Sequence, residues 1–379
     1  MLPKLFSGDK HLCFGTLLVA LVISSLVVAC NSREPIQLGF IGGLSGRVAD
    51  LGIGGRDGAL LAIELRNASG GVGGRQLALI AEDDQQDPDI ARQAVSKLID
   101  NKVAAVIGPM TSAMAVATVP LINNAQVLMV SPTVTTTDLA GIDDHFLRVI
   151  DSTTNYASKS ANYHFSVQGS RRITVAYDLR NQAYTESWLK DYRKGFEAAG
   201  GALVEVVPFS SSDDANFSAL AQQLLQPRPD GVLILANSVD TAMLAQQVRK
   251  RDAMVHINAC EWSATERLIE LGGKAVEGVV IAQFIDRESL QASYLTFRKA
   301  YLARFKREPG FAGLTAFDAT NVVLDALATQ TSGQTLKQAI LVRREFDGAQ
   351  SRVRFDAYGD ATRDTYLTTV RHGAYVRLH

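Results

Sequence analysis

The chain has 379 residues, 47% of them hydrophobic and 20% charged, with 38 Lys and Arg against 39 Asp and Glu. That length implies two domains or one large one, and the composition gives a folded core rather than a disordered chain. The near-zero net charge argues against a nucleic-acid binder, which carries a basic surplus.

At the N-terminus, Lys4 and Lys10 precede an apolar run from Leu12 to Ala29, and Cys30 follows. A positive start, an apolar middle and a small residue before the cut site read as a secretory signal over residues 1–29. The stretch Leu26-Val27-Val28-Ala29-Cys30 resembles a bacterial lipobox. That resemblance implies lipidation of Cys30 and a lipid anchor in the membrane; the alternative is an uncleaved transmembrane anchor. Cys260 then has no partner in the mature chain, and a small buried hydrophobe is its expected role.

The mature chain alternates strand and helix. Ile36 to Ile41 is short, apolar and bounded by turn residues, as a buried strand is. A glycine-rich stretch, Gly42 to Gly55, reads as a loop, and Arg56 to Asn67 as a helix stopped by Gly70-Gly71. Leu77 to Ala81 is the next strand. Asp87-Pro88 caps a helix whose Ile90, Ala94 and Leu98 share one face. Val103 to Ile107, Ala113 to Asn123 and Val127 to Val130 continue as strand, helix and strand. The pattern restarts at Arg172, with strands at 172–177, 202–207, 231–235, 255–258 and 279–282 and helices at 184–199, 215–225 and 241–250. Helices near 289–306, 314–329 and 335–342 follow, and then edge strands near 352–356, 364–370 and 374–378. The expected fold class is α/β: two doubly wound Rossmann-like lobes with a cleft between them.

Enzyme motifs are missing. Gly42, Gly43, Gly46 and Gly52 do not make the dinucleotide-binding spacing, and no GxxxxGK[ST] occurs. There is no GxSxG elbow and no HExxH. The acidic group Glu82, Asp83, Asp84, Asp87 and Asp89 lacks a calcium-loop pattern and sits where a strand ends and a helix is capped. No cofactor or metal is expected. What remains are polar loops after parallel strands, where open α/β sheets bind ligands. Ser112 opens a helix after strand 103–107, and a hydroxyl-rich loop, Ser131 to Asp138, follows strand 127–130. A helix N-terminus with hydroxyls beside it suits a carboxylate.

These pieces, in this order, resemble the periplasmic leucine/isoleucine/valine-binding proteins, the type I solute-binding proteins of ABC importers. The stretches that carry the resemblance are IGGLSGRVADLGIGGRDGALLAIELRNASGGVGGRQLALIAEDDQQDP, AAVIGPMTSAMAVA, VLMVSPTVTTTDLAG and INACEWSATERLIELGGKAVEGVV. Similarity runs over about residues 36 to 375. It implies an N-terminal lobe of residues 36–152 plus 284–345, a C-terminal lobe of 153–283 plus 346–379, and closure of both on a small polar ligand. It places the ligand carboxylate on Ser112 and Thr135, and the ammonium on the Thr133 carbonyl and on Glu261. Tyr184 is the tyrosine that closes over the ligand. The chain departs from the family at Leu51, where many members carry an aromatic, and at Asn237 and Ser238, which replace an aromatic wall. Gln86 and Thr111 stand where some members carry a disulfide. A polar amino acid or an amide is therefore expected as readily as a branched aliphatic one.

The function implied is capture of an amino acid or a similar small molecule, without catalysis, for delivery to an ABC permease. The alternative is a receptor of the same fold that senses a small amide, urea-like or carboxylate solute and reports to a signalling partner.

Overall fold

The computed structural model describes residues 34–378; residues 1–29, expected as a secretory signal, and Cys30 lie outside them. Two sheets are each wound in the same order. In the first, β1 (Ile36–Gly42), β2 (Leu77–Asp83), β3 (Val106–Ile107), β4 (Met129–Ser131) and β5 (Phe146–Arg148) lie in the order β2-β1-β3-β4-β5, all parallel. The chain reverses direction across the sheet between β1 and β3, and crevices at such switch points hold ligands. Helices α1 (Ala49–Ala68), α2 (Pro88–Asp100) and α3 (Ser112–Ala125) make the crossovers. The Asp87 carboxylate accepts from the Asp89 and Ile90 amides, the capping role expected of it.

Helix α4 (Thr153–Ser166) leads into the second sheet, which contains β6 (Arg172–Asp178), β7 (Ala202–Phe209), β8 (Gly231–Leu235), β9 (His256–Ala259) and β10 (Val280–Gln283). These run in the order β7-β6-β8-β9-β10, again all parallel. Its helices are α5 (Gln182–Ala198), α6 (Phe217–Leu225), α7 (Ser238–Arg251) and α8 (Glu266–Gly272). The chain then forms α9 (Ala292–Phe305), α10 (Gly310–Thr329) and α11 (Leu336–Arg343). Strands β11 (Glu345–Phe346), β12 (Val353–Phe355) and β13 (Ala361–Thr362) make a small antiparallel sheet. Finally β14 (Tyr366–Arg371) and β15 (Ala374–Arg377) add antiparallel to β10, so β14 is an interior strand and β15 the edge.

Besides the strand expected at the edge near 364–370, which is interior, two readings are corrected. The glycine-rich stretch is a loop only at its start, because α1 begins at Ala49 and contains Gly52, Gly54, Gly55 and Gly58. Those glycines serve close approach rather than turns. A Cβ on Gly58 would come within 2.1 Å of the Gly313 carbonyl oxygen on α10, and one on Gly52 within 2.0 Å of the Gly43 carbonyl oxygen. Helix α10, far along the chain, thus packs backbone to backbone on α1. The segment between 138 and 171, unassigned from sequence, holds β5 and α4. Strand β5 has three residues, and α4 is rich in Ser, Thr and Asn, so neither shows a strong period.

Candidate functional site

The carboxyl ends of both sheets face one cleft, and a small cavity lies within it. From the first sheet come Met110, Thr111 and Ser112 after β3, Thr133 after β4 and Ile150 after β5; Leu51 on α1 adds a wall. From the second come Asn181 and Tyr184 after β6 and Glu261 and Trp262 after β9. Phe284, just past β10, and Phe311 on α10 complete it. The room left is about 20 Å³, enough for a single water. That volume is too small for a molecule the size of an amino acid.

Five residues expected from sequence meet in this cavity: Leu51, Ser112, Thr133, Tyr184 and Glu261. Ser112 opens α3, and its Oγ accepts from the Thr136 amide at 3.3 Å, leaving its own proton to donate. Thr133 Oγ1 donates to the Met110 carbonyl at 2.6 Å. Thr135 is buried beside the cavity but does not line it; its hydroxyl has no partner among the described residues, and its carbonyl accepts from the Thr153 amide.

Glu261 stands on a short helical turn directly after β9 and is 4% exposed. Its Oε2 accepts from Trp188 Nε1 at 3.0 Å, whereas Oε1 has no partner among the described residues. Burial pushes its carboxyl up to about 7, and the bond from Trp188 opposes that rise. Tyr184 stacks edge-on against Trp262, with ring centroids 5.7 Å apart. Its buried hydroxyl also lacks a partner, and burial raises its pKa well above the usual tyrosine value. Cys260 is buried, and desolvation pushes its thiol up to about 12, so it is inert as a nucleophile.

Asn237 and Ser238 lie apart from the cavity. Asn237 caps α7: its Oδ1 accepts from the Asp240 amide, and its Nδ2 donates to Asp240 Oδ2 at 2.7 Å and to Ser211 Oγ at 3.3 Å. Ser238 Oγ bonds instead to Asp50 on α1. These two residues belong to the seam between the lobes, beside an outer cavity of about 590 Å³ that shares Phe311 with the inner one. In the same seam Arg47 pairs with buried Asp240 and with exposed Asp213.

Sequence reasoning missed Asn181, Trp188 and Phe311. Asn181 Oδ1 accepts from the Ala113 amide at 3.0 Å, so a residue after β6 fills an open donor at the start of α3. Its signal was available, since it sits in a loop after a strand three residues before Tyr184. Trp188 lies inside a helix, where an aromatic reads as core, and Phe311 falls between the helices expected at 289–306 and 314–329, because the helix begins four residues earlier than its sequence pattern.

Residues 35–374 match the model of the periplasmic binding protein family. A Leu/Ile/Val-binding protein of Rhizobium johnstonii is 25% identical over 354 residues, covering 92% of this chain and 95% of that protein. A leucine-, isoleucine-, valine-, threonine- and alanine-binding protein of Pseudomonas aeruginosa is 23% identical over 348 residues, 91% of this chain and 92% of that one. Among solved structures, a leucine-binding protein from Thermotoga maritima superposes with a TM-score of 0.83 at 24% identity, over 91% of this chain and 98% of that one. The solute-binding protein of an R. palustris ABC transporter in complex with benzoate gives 0.82 at 18%, over 91% and 96%. These relatives are binding proteins, and the solved neighbours share the two-lobed fold. With one family model matched over nearly all the described residues, and with two lobes wound alike around a polar cleft, the chain belongs to the periplasmic binding protein family.

Proposed function

We propose that the protein captures an α-amino acid or a close analogue outside the cytoplasmic membrane and delivers it to an ABC permease. The observation that carries this reading is the unpartnered Oε1 of buried Glu261, in one cavity with Ser112 at the start of α3. A zwitterion needs partners for both charges once it is buried. The carboxylate goes to Ser112 Oγ, to the Thr135 hydroxyl and to amides at the start of α3. The ammonium goes to Glu261 and to the Thr133 carbonyl. Tyr184 closes over the ligand, and Leu51 bounds its side chain. Asn237 and Ser238 act through the seam that sets how the lobes meet. Because the two charges are held from opposite lobes, ligand binds the closed form better and shifts the population towards it. Residues 36–152 plus 284–345 and residues 153–283 plus the C-terminal strands are the moving lobes; Asp360 pairs with Arg148 and the Ala349 amide donates to Asp318, so residues 346–362, expected in the second lobe, travel with the first. A lipid on Cys30 keeps the protein near its permease.

The test is a thermal-shift screen of residues 31–379 against amino acids, amides and small carboxylates. At one hundred times its dissociation constant a ligand adds about 2.7 kcal/mol of stability. Zwitterionic amino acids are expected to shift the wild type and to lose that shift in Glu261→Gln. If amino acids shift neither protein, the reading fails.

A second reading is favoured by the apolar walls Leu51, Met110, Phe284 and Phe311. An aromatic carboxylate would sit among them with its anion at the start of α3, and Glu261, when protonated, would donate to it. Shifts by aromatic acids alone would select this reading.

A further inference from the structure

Trp188 is fully buried on α5, and its Nε1 donates to Glu261 Oε2 at 3.0 Å. The indole is held rigidly. It stacks on Tyr192, with centroids 5.4 Å apart and planes 19° from parallel, and Tyr192 stacks in turn on Phe196 at 5.3 Å and 15°. The three rings stand four residues apart on one helix face, so the helix itself sets their spacing. Tyr192 is fixed at its far end by a 2.8 Å bond between its hydroxyl and His164 Nδ1.

A buried indole N–H needs an acceptor, and a neutral Gln at 261 would supply one without the cost of burying a carboxylate. The chain instead places a Glu there, on the cavity wall, and leaves its second oxygen without a partner among the described residues. We infer that Trp188 is a positioning residue for Glu261: its N–H fixes Oε2, so that Oε1 faces the ligand cavity in its ionised form. This inference rests on Glu261 as the partner of the ligand's ammonium group.

Beside Glu261, the other ionisable groups of the pocket do not titrate near neutrality. Tyr184 on α5 and Tyr156 on α4 are held neutral by burial, and so is Cys260 beside it in sequence. Trp188 does not ionise.

The experiment compares two substitutions in the full mature protein. Trp188→Phe removes the donor. Benzothienylalanine at 188 keeps the ring shape and removes only the N–H. The ionisation of Glu261 is followed by the infrared carboxyl stretch, taken as a difference from Glu261→Gln, with L-leucine binding measured beside it. Both substitutions are expected to raise the titration midpoint by about one unit or more, the effect of losing a hydrogen bond to a charged group. L-Leucine affinity is expected to fall about fivefold or more at pH 7, with the gap closing in alkali where the carboxyl ionises regardless. Midpoints equal to that of the wild type in both proteins would overturn the assignment. A raised midpoint together with no amino-acid binding by the wild type would uphold the role of Trp188 and reject the amino-acid reading.

Discussion

Ser238 Oγ donates to Asp50 Oδ2 over 2.6 Å, joining the start of α7 on the second lobe to α1 on the first. Thr265 Oγ1 donates to the same carboxylate oxygen. With the Arg47–Asp240 pair and the Asn181–Ala113 bond, these contacts hold the lobes together around a cavity with room for one water.

Asp50→Ala is therefore expected to open the ligand-free protein. Two hydrogen bonds to a carboxylate are lost, each worth on the order of 1.5–3 kcal/mol. The radius of gyration from small-angle scattering should rise in the variant and return to the wild-type value with saturating ligand. An unchanged radius without ligand would show that the seam does not hold the lobes.

Binding should depend on pH with a definite sign. Burial holds the Glu261 carboxyl at about 7. An ammonium ligand needs the carboxylate form, so affinity falls about tenfold per unit below pH 7 and is roughly one hundredfold weaker at pH 5 than at pH 8. Calorimetry in two buffers of different ionisation enthalpy should show close to one proton released per ligand at pH 6. An aromatic carboxylate would reverse the sign and bind more tightly in acid.

Asp84 makes a stability prediction. It is 1% exposed; one oxygen accepts from the Gln86 amide and the other has no partner among the described residues. Burial pushes its carboxyl up to about 6. The folded state then keeps a proton that the unfolded chain releases near pH 4, so stability present in acid is lost as pH rises from about 4 to 6. Asp84→Asn removes that loss and should stabilise the protein at pH 8 by up to about 3 kcal/mol, with little effect at pH 4. Denaturant melts at the two pH values would show it, and equal effects at both would contradict it.

Gly58→Ala should be costly despite the better helix propensity of alanine. Its Cβ would fall 2.1 Å from the Gly313 carbonyl oxygen, and neither backbone can yield without moving a helix. A loss of about 3 kcal/mol is expected in chemical denaturation. A neutral result would mean that α1 and α10 can separate freely.

The alternation of strand and helix, and with it the doubly wound architecture, was legible because buried parallel strands are short apolar runs between amphipathic helices. The glycines of α1 misled for a physical reason. Local propensity reads glycine as a turn, whereas here a helix partner 255 residues away, Gly313 against Gly58, demands it. At the cavity, Ser112 is legible as a polar residue that opens a helix just beyond a strand, whereas Glu261 is legible only through the family resemblance. Asn237 and Ser238 occupy the same kind of position but turn to the seam, because Asp240 and Asp50 offer them partners. Trp188 gave no signal, since its function depends on a single N–H meeting a carboxylate 73 residues away.

The close packing of α10 on α1 also sets an order of events when the chain is made. The first sheet is complete once Arg148 has been synthesised, yet the surface that α1 presents through Gly54 and Gly58 stays bare until Ala312 and Gly313 emerge. Domains generally fold N-terminal first during synthesis. Here helix α1 lacks the partner its glycines are cut for until Gly313 is made, 165 residues after Arg148, so the first lobe cannot reach its final packing while only the first sheet has been synthesised.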